Sequence, residues 1–291
     1  MLTKNILVTG ANGQLGSEIK ALQNNYPNYQ FFFVDKNELN IVDAAAIDNY
    51  FGKNKITHCI NCAAYTAVDK AETQWVQSFS VNGVAVGTLA AACKKHHALL
   101  IHISTDYVFN GNGKAPYKET DATDPVNLYG QSKLKGEELA VQNNPDTIII
   151  RTSWLYSSFG NNFVKTMLRL MREKESISVV DDQLGTPTYA TDLADAILKI
   201  IEVNKPRSGI YHYSNSGIIN WFQFAVAIKE ISGSACEVKP IPTLAYPTPA
   251  KRPAYSAFDT KKIHSQLGVE ILGWRESLEK CLTLLNEPLR N

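Results

Sequence analysis

The chain has 291 residues, 44% of them hydrophobic and 20% charged, with a formal net charge of +1. That length suits one large domain or two modest ones. The even charge balance excludes the one-signed field expected of a nucleic-acid or membrane-surface binder.

The opening Met1-Leu-Thr-Lys-Asn-Ile-Leu-Val-Thr-Gly10 runs directly into a short apolar strand, Ile6–Thr9. It lacks the basic region, apolar stretch and small-residue cleavage site of a secretory signal. No apolar stretch is read as approaching the roughly 20 residues that span a bilayer, so the expectation is a soluble, cytoplasmic protein. Gly10-Ala-Asn12-Gly13-Gln14-Leu15-Gly16 then opens a helix over Gln14–Asn24. Glycines there let the backbone turn tightly and approach a pyrophosphate, whose charge suits a helix N-terminus. The second strand, Phe31–Asp35, ends in an acid about 20 residues after Gly16, where a carboxylate binds adenosine ribose hydroxyls. Asp35 favours NADH because it repels a 2′-phosphate, but Lys36 beside it keeps NADPH open.

A helix over Ala44–Phe51 leads to a third strand, His58–Ala63. Cys59-Ile-Asn-Cys62 within it has the spacing of a redox or zinc half-motif. Residues three apart on a strand point to opposite faces, so these are read as small core residues. Val68–Lys95 reads as one long or broken helix, and Leu99–Ser104 as the fourth strand. Ser104-Thr105-Asp106 follows at the carboxyl edge, where open α/β sheets bind ligands. Val126–Gln142 reads as a helix started by Asp124-Pro125, a capping side chain followed by proline. The fifth strand is Thr147–Thr152.

Tyr129-Gly-Gln-Ser-Lys133 puts a phenol and an ammonium one turn apart on that helix. A free tyrosine has a pKa near 10, and a neighbouring positive charge favours its phenolate. Tyr129 could supply a proton while Ser104 or Thr105 hydrogen-bonds the substrate oxygen. Lys133 would lower the tyrosine pKa and hold the nicotinamide ribose.

The pattern loosens after Arg151. Helices are expected over Asn161–Arg172, Thr191–Val203, Trp221–Ile231 and Arg275–Leu285, with strands at Ile177–Val180 and Ile210–Tyr213. Pro240-Ile-Pro242 and Ala245–Pro253 read as loops unsuited to a central strand. Trp154, just past the fifth strand, can stack on a sugar face or pack in the core. Arg252 can meet a phosphate or stand free in its loop. The fold expected is α/β, a doubly wound parallel sheet of Rossmann type with a smaller mixed α/β C-terminal substrate lobe. Residues 1–151 plus about 181–203 would bind the dinucleotide. Residues 152–180 plus about 204–291 would form the substrate lobe.

With these residues in place, the chain resembles the extended short-chain dehydrogenase/reductases. More narrowly, it is similar to the dTDP-4-dehydrorhamnose reductase family over nearly its whole length. The segments that carry this are Asn61–Glu72, Ser104–Phe109, Arg151–Tyr156, Gly160–Leu168, Asp182–Thr188 and Lys251–Pro253. The resemblance implies reduction of the 4-keto group of dTDP-4-dehydro-L-rhamnose by NADPH or NADH. It gives Thr105 the hydroxyl role, Tyr129 the proton and Lys133 the cofactor. Ala63, Ala64 and Tyr65 would line the cofactor cleft, and Asn82 would support the active site. Asp106 and Trp154 would contact the deoxysugar, with Asn162 and Arg252 on the nucleotide-sugar side.

Two departures stand out. Leu39-Asn40-Ile41 occupies the place of an aspartate that faces the adenine in many relatives. Some relatives also bind magnesium at a dimer interface through glutamates. Glu18 matches one, but Thr191 stands where another is expected, so the metal is not carried over, while a homodimer stays possible. An epimerase of the same superfamily and a non-catalytic nucleotide-binding regulatory subunit remain alternatives. The acid pair of the dehydratases is not matched, since Thr105-Asp106 is followed by Tyr107.

Overall fold

A computed structural model describes residues 4–286. Met1-Leu2-Thr3, read as the lead-in to the first strand, lie outside the described residues. The first half alternates short apolar strands with helices. In order these are β1 (Lys4–Thr9), α1 (Gln14–Leu22), β2 (Tyr29–Val34), α2 (Ala44–Asn54) and β3 (His58–Asn61). Then come α3 (Val68–Ala71), α4 (Trp75–Phe79), α5 (Ala85–Lys95), β4 (Leu99–Thr105), α6 (Leu128–Asn143) and β5 (Ile148–Thr152). The second half holds β6 (Leu155–Tyr156), α7 (Phe163–Glu173), β7 (Ser176–Val180), β8 (Leu184–Gly185), β9 (Thr188–Tyr189) and α8 (Ala190–Glu202). It closes with β10 (Gly209–His212), β11 (Ile219–Asn220), α9 (Trp221–Ser232), β12 (Glu237–Ile241), α10 (Lys261–Leu267) and α11 (Trp274–Asn286).

Six strands pair in parallel in the order β2-β1-β3-β4-β5-β10. Parallel strands need crossovers, and the helices that make them bury both faces of the sheet. Ile6, Val8, Ile60, Ile101, Ile148 and Ile150 pack with α1, α8 and α10 on one face. Leu7, Cys59, Leu100 and Ile149 point the other way, into α2, α5 and α6. Cys59 and Cys62 accordingly join different layers, as strand alternation requires. A third apolar cluster, built from α7, α9, α11 and the short strands, forms the C-terminal lobe. Gly209–His212 completes the main sheet and Ile263, Leu267 and Val269 pack beneath it, so that sheet recruits residues from beyond 203.

Three local features differ from the sequence reading. The α6 helix is capped by Asn127, whose side chain accepts from Gly130 N, rather than by Asp124. Asp124 instead donates its amide to the Val108 carbonyl in the preceding loop. The β12 strand runs through Pro240, which is tolerated because β12 pairs only with β7 in a two-stranded ribbon. The helical run Trp75–Lys95 has 21 residues and a mean hydropathy of 1.3 in its most apolar stretch, reaching the span length that the sequence reading excluded. Over half of that stretch is buried inside the protein, so its apolar character is consumed by packing against α6 and α2. A wide turn at Ser80–Val84 interrupts the run.

Candidate active site

The strand order reverses between β1 and β3, which opens a crevice beyond their carboxyl ends. Gly10 ends β1 with φ +65°, and a β-carbon there would lie 2.6 Å from Ala63 N. Only glycine lets this turn pass so close to the loop after β3. A β-carbon on Gly16 would lie 2.5 Å from the Gly10 carbonyl, so the helix also sits tightly on the turn. α1 starts at Gly13 without a side-chain cap, which leaves first-turn amides able to meet an anion. Asp35 sits just past β2. Asn12 Nδ2 donates to its Oδ2 at 2.9 Å, and Asn37 N donates to its Oδ1 at 2.7 Å.

A cleft of about 1450 Å³ extends from this loop across the sheet edge. Gly10, Asn12, Gly13, Gln14, Leu15, Gly16, Asp35, Ala63, Ala64, Tyr65, Ser104, Tyr129 and Lys133 all line it. Thr105, Asp106 and Trp154 line its other end. Leu39, Asn40 and Ile41 form part of its wall, the two apolar residues buried and Asn40 exposed between them. Asn82 lies in the wide turn before α5 and is buried. Its Oδ1 accepts from Tyr65 N at 2.8 Å and its Nδ2 donates to Tyr65 O at 3.0 Å, fixing the loop after β3. These residues fit an extended dinucleotide: a phosphate-ready turn, an acid for ribose hydroxyls and the Ala63-Ala64-Tyr65 loop along the sheet edge.

At the far end, Thr105 donates to Asp106 Oδ1 at 3.0 Å, accepts from Tyr107 N at 3.2 Å and lies beside the Tyr129 phenol. Ser104 donates instead to Glu137 Oε1 at 2.5 Å. Of the two hydroxyls, Thr105 is thus the one beside the Tyr129 phenol. Burial pushes the Tyr129 phenol up to about 12, with Thr105 pulling it down and Asp106 pushing it further up. Burial draws Lys133 down to about 8, opposed by Glu137 and Cys62. Lys133 Nζ donates to the Ile103 carbonyl at 2.6 Å. The Lys133 ammonium donates to the strand rather than to the phenol, and burial is the largest influence on the phenol.

Asp106 is buried, and desolvation raises its carboxyl to about 6. Ser256 comes near enough to favour the ionised form, yet Asp106 Oδ2 has no hydrogen bond of sound geometry within the protein. Trp154 adopts φ +48° and stacks on Trp221 at 3.6 Å and 10°, so one indole face packs while the residue also walls the cleft.

Asn162 and Arg252 do not line the cleft. Asn162 caps α7 through Lys165 N and donates to Gln14 Oε1 at 3.0 Å. Arg252 forms a two-pronged pair with Asp69, both contacts at 2.8 Å, from the loop after β12 to α3. Glu18, the match to a magnesium ligand in some relatives, is buried. It accepts from Ser157 Oγ at 2.5 Å, lies beside Thr191, and is raised by desolvation. Asp192 is near enough to push it up further, while Ser157, Thr191 and the Ser158 backbone favour its ionised form. Among the described residues, no cluster of three or more His, Cys, Asp or Glu is placed to hold a metal.

Sequence reasoning missed four contributors. Asp69 occupies the guanidinium of Arg252, Trp221 supports Trp154, and Ser256 approaches Asp106. The fourth is the Glu137–Arg151 ion pair, both side chains about 3% exposed, with Arg151 Nη2 2.6 Å from Glu137 Oε2. Two left a signal: Asp69 lies near the cleft by topology, and Glu137 stands four residues after Lys133, on the same helical face.

Comparison with known proteins gives a consistent picture. The model of the RmlD substrate binding domain family matches residues 4–287. The spore coat polysaccharide biosynthesis protein SpsK of Bacillus subtilis is 42% identical, over 95% of this chain and 96% of its own length. A dTDP-4-dehydrorhamnose reductase of Aggregatibacter actinomycetemcomitans is 39% identical, over 94% of this chain and 97% of its own. The crystal structure of such a reductase from Bacillus anthracis, in complex with NADP, superposes with a TM-score of 0.93 at 37% identity. It covers 97% of this chain and 100% of that one.

Proposed function

We propose that this chain, which belongs to the RmlD substrate binding domain family, is a dTDP-4-dehydrorhamnose reductase. It reduces the 4-keto group of dTDP-4-dehydro-L-rhamnose to give dTDP-L-rhamnose, using NADPH or NADH. The observation that carries this reading is the meeting of Thr105, Tyr129 and Lys133 at one end of a cleft whose other end is the Gly10–Gly16 turn. Bound along that cleft, the reduced nicotinamide supplies a hydride to the carbonyl carbon.

The chain's own residues do the rest. Tyr129, kept protonated at neutral pH by burial, gives its proton to the carbonyl oxygen as negative charge develops there. Thr105 turns its single hydroxyl proton from Asp106, its partner at 3.0 Å, to that same oxygen. The phenolate left behind forms in a desolvated pocket that also contains the Lys133 ammonium, and opposite charges attract strongly there. Asp35 takes the adenosine ribose, and the first-turn amides of α1 take the pyrophosphate. Asp106 and Trp154 contact the deoxysugar.

Arg252 and Asn162 act from outside the cleft wall, Arg252 through release from Asp69 when a diphosphate arrives, and Asn162 by holding the α7 start against Gln14. We take the sugar lobe to comprise 152–180, 214–257 and 272–286, the residues that pack around the third apolar cluster and its loops. Five free thiols, four of them buried, suit a reducing compartment, and we place the protein in the cytoplasm.

The test is cofactor oxidation with dTDP-4-dehydro-L-rhamnose, with NADPH and NADH compared. A reductase consumes one equivalent of cofactor per sugar. Sugar conversion without net cofactor consumption would instead identify an epimerase, and binding of both ligands without turnover a regulatory subunit.

A further inference from the structure

Tyr129, Lys133 and Glu137 recur every four residues on α6, so one face of that helix presents a phenol, an ammonium and a carboxylate in sequence. The third member points into the protein rather than the cleft. Glu137 Oε1 accepts from Ser104 Oγ on β4 at 2.5 Å and from Arg151 Nε on β5 at 2.9 Å, while Oε2 accepts from Arg151 Nη2 at 2.6 Å. One carboxylate therefore joins the helix to the two strands whose ends frame the reacting groups. It is tied to Ser104, the residue immediately before Thr105.

We propose that Glu137 is a positioning residue for the reduction: it anchors the Tyr129–Lys133 face of α6 to β4 and β5 and supplies the fixed negative charge beside Lys133. The inference rests on the reductase reading and deepens it.

Buried charge is expensive, and a helix–strand contact could have been made with apolar side chains at less cost. Lys133 explains the expense. It is buried and hydrogen-bonded to the neutral Ile103 carbonyl. The groups facing it are Glu137 from its own helix, Cys62 after β3 and His102 from β4. Burial holds the Cys62 thiol neutral, its pKa raised, and holds His102 neutral too, its pKa well below the ordinary imidazole value. Glu137 is therefore the one anion acting on Lys133 from these elements, and it opposes the desolvation that draws the lysine down to about 8. Arg151 keeps that anion in place. Its guanidinium lies over the Phe109 ring at 5.1 Å and reaches His212 Nε2 at 3.5 Å.

The experiment is the pH profile of kcat for NADPH oxidation with dTDP-4-dehydro-L-rhamnose in wild type, Glu137→Gln and Glu137→Gln/Arg151→Met. Wild type should lose activity as pH rises through about 8, where Lys133 gives up its proton. Without the neighbouring carboxylate, Lys133 deprotonates more easily, so the alkaline limb of Glu137→Gln should move down by about one pH unit. The double variant removes the stranded guanidinium and should recover thermal stability while keeping the displaced limb. A Glu137→Gln profile lowered uniformly, with its limb unmoved, would reduce Glu137 to a structural brace and overturn the inference. Should that variant not fold, the limb of the double variant decides by the same criterion. Wild type that fails to oxidise NADPH would sink the reductase reading itself, whereas wild-type turnover with an unmoved limb sinks only the role of Glu137.

Discussion

Replacing Tyr129 with Phe removes one oxygen from a residue that is only 9% exposed. The ring keeps its packing, including the edge-on contact with Tyr107 at 5.5 Å between centroids. Loss of one hydrogen bond to a neutral partner costs about 1 kcal/mol, so the variant should fold and unfold much as wild type does. Catalysis should respond far more. With burial holding the phenol at about 12, essentially every molecule carries the proton at neutral pH, so the acid is fully loaded before each turnover. Thr105 is an aliphatic alcohol, too weak an acid to take the role over, and its burial beside Tyr129 limits access of bulk water. The whole contribution of a positioned acid is then forfeited, about 10²–10⁴-fold in kcat, equivalent to about 3–5 kcal/mol of transition-state stabilisation. NADPH oxidation at saturating sugar measures the loss, and fluorescence titration of the cofactor checks that binding is retained. A Phe variant within tenfold of wild-type kcat would refute the assignment of Tyr129 as proton donor.

Asp106 should give the acid limb of the pH profile. Its carboxyl is raised to about 6, so it is an ionised acceptor above that pH and is protonated below it; kcat/KM for the sugar should fall as pH drops through about 6. Asp106→Asn should flatten that limb, and a limb that persists would place it elsewhere. Arg252→Ala should raise the sugar KM by about tenfold through loss of a phosphate contact while leaving the cofactor KM unchanged; equal changes in both would argue for a purely structural role. Gly10→Ala should cost at least about 3 kcal/mol, from a left-handed backbone and a β-carbon 2.6 Å from Ala63 N, read by chemical denaturation. A loss below about 1 kcal/mol would mean that the turn can move aside.

Much of the first half was legible because its cues are local. Apolar runs such as Leu99–Ser104 alternate with helices of clear period, and the glycine turn, Asp35 and Tyr129/Lys133 each sit at a fixed offset from a strand or within a helical turn. The start of α6 misled because Asp124-Pro125 satisfies the capping rule locally, but Asn127 gains a second bond, from its Nδ2 to the Lys251 carbonyl, that no short window contains. The same reason hid the Asp69–Arg252 pair and the stack of Trp154 on Trp221, whose partners are remote in sequence. Lys133 was placed on the correct helical face, but its bond to the Ile103 carbonyl lies on a strand thirty residues away and left no mark in the helix. Strand β10 went to the wrong lobe because a four-residue strand carries no mark of the sheet it will join.

Gln14 and Glu18 stand one turn apart on α1, and each grips the 157–162 stretch, Gln14 through Asn162 and Glu18 through Ser157. The glycine turn and the C-terminal lobe are therefore fastened to each other by polar side chains as well as by the peptide that links them. A chimaera made by crossing over to a relative's lobe at Thr152 would separate both fastenings from their partners unless the donor brings the same pair. Recombination in this fold should treat the first helix and the 157–162 stretch as a single inherited block.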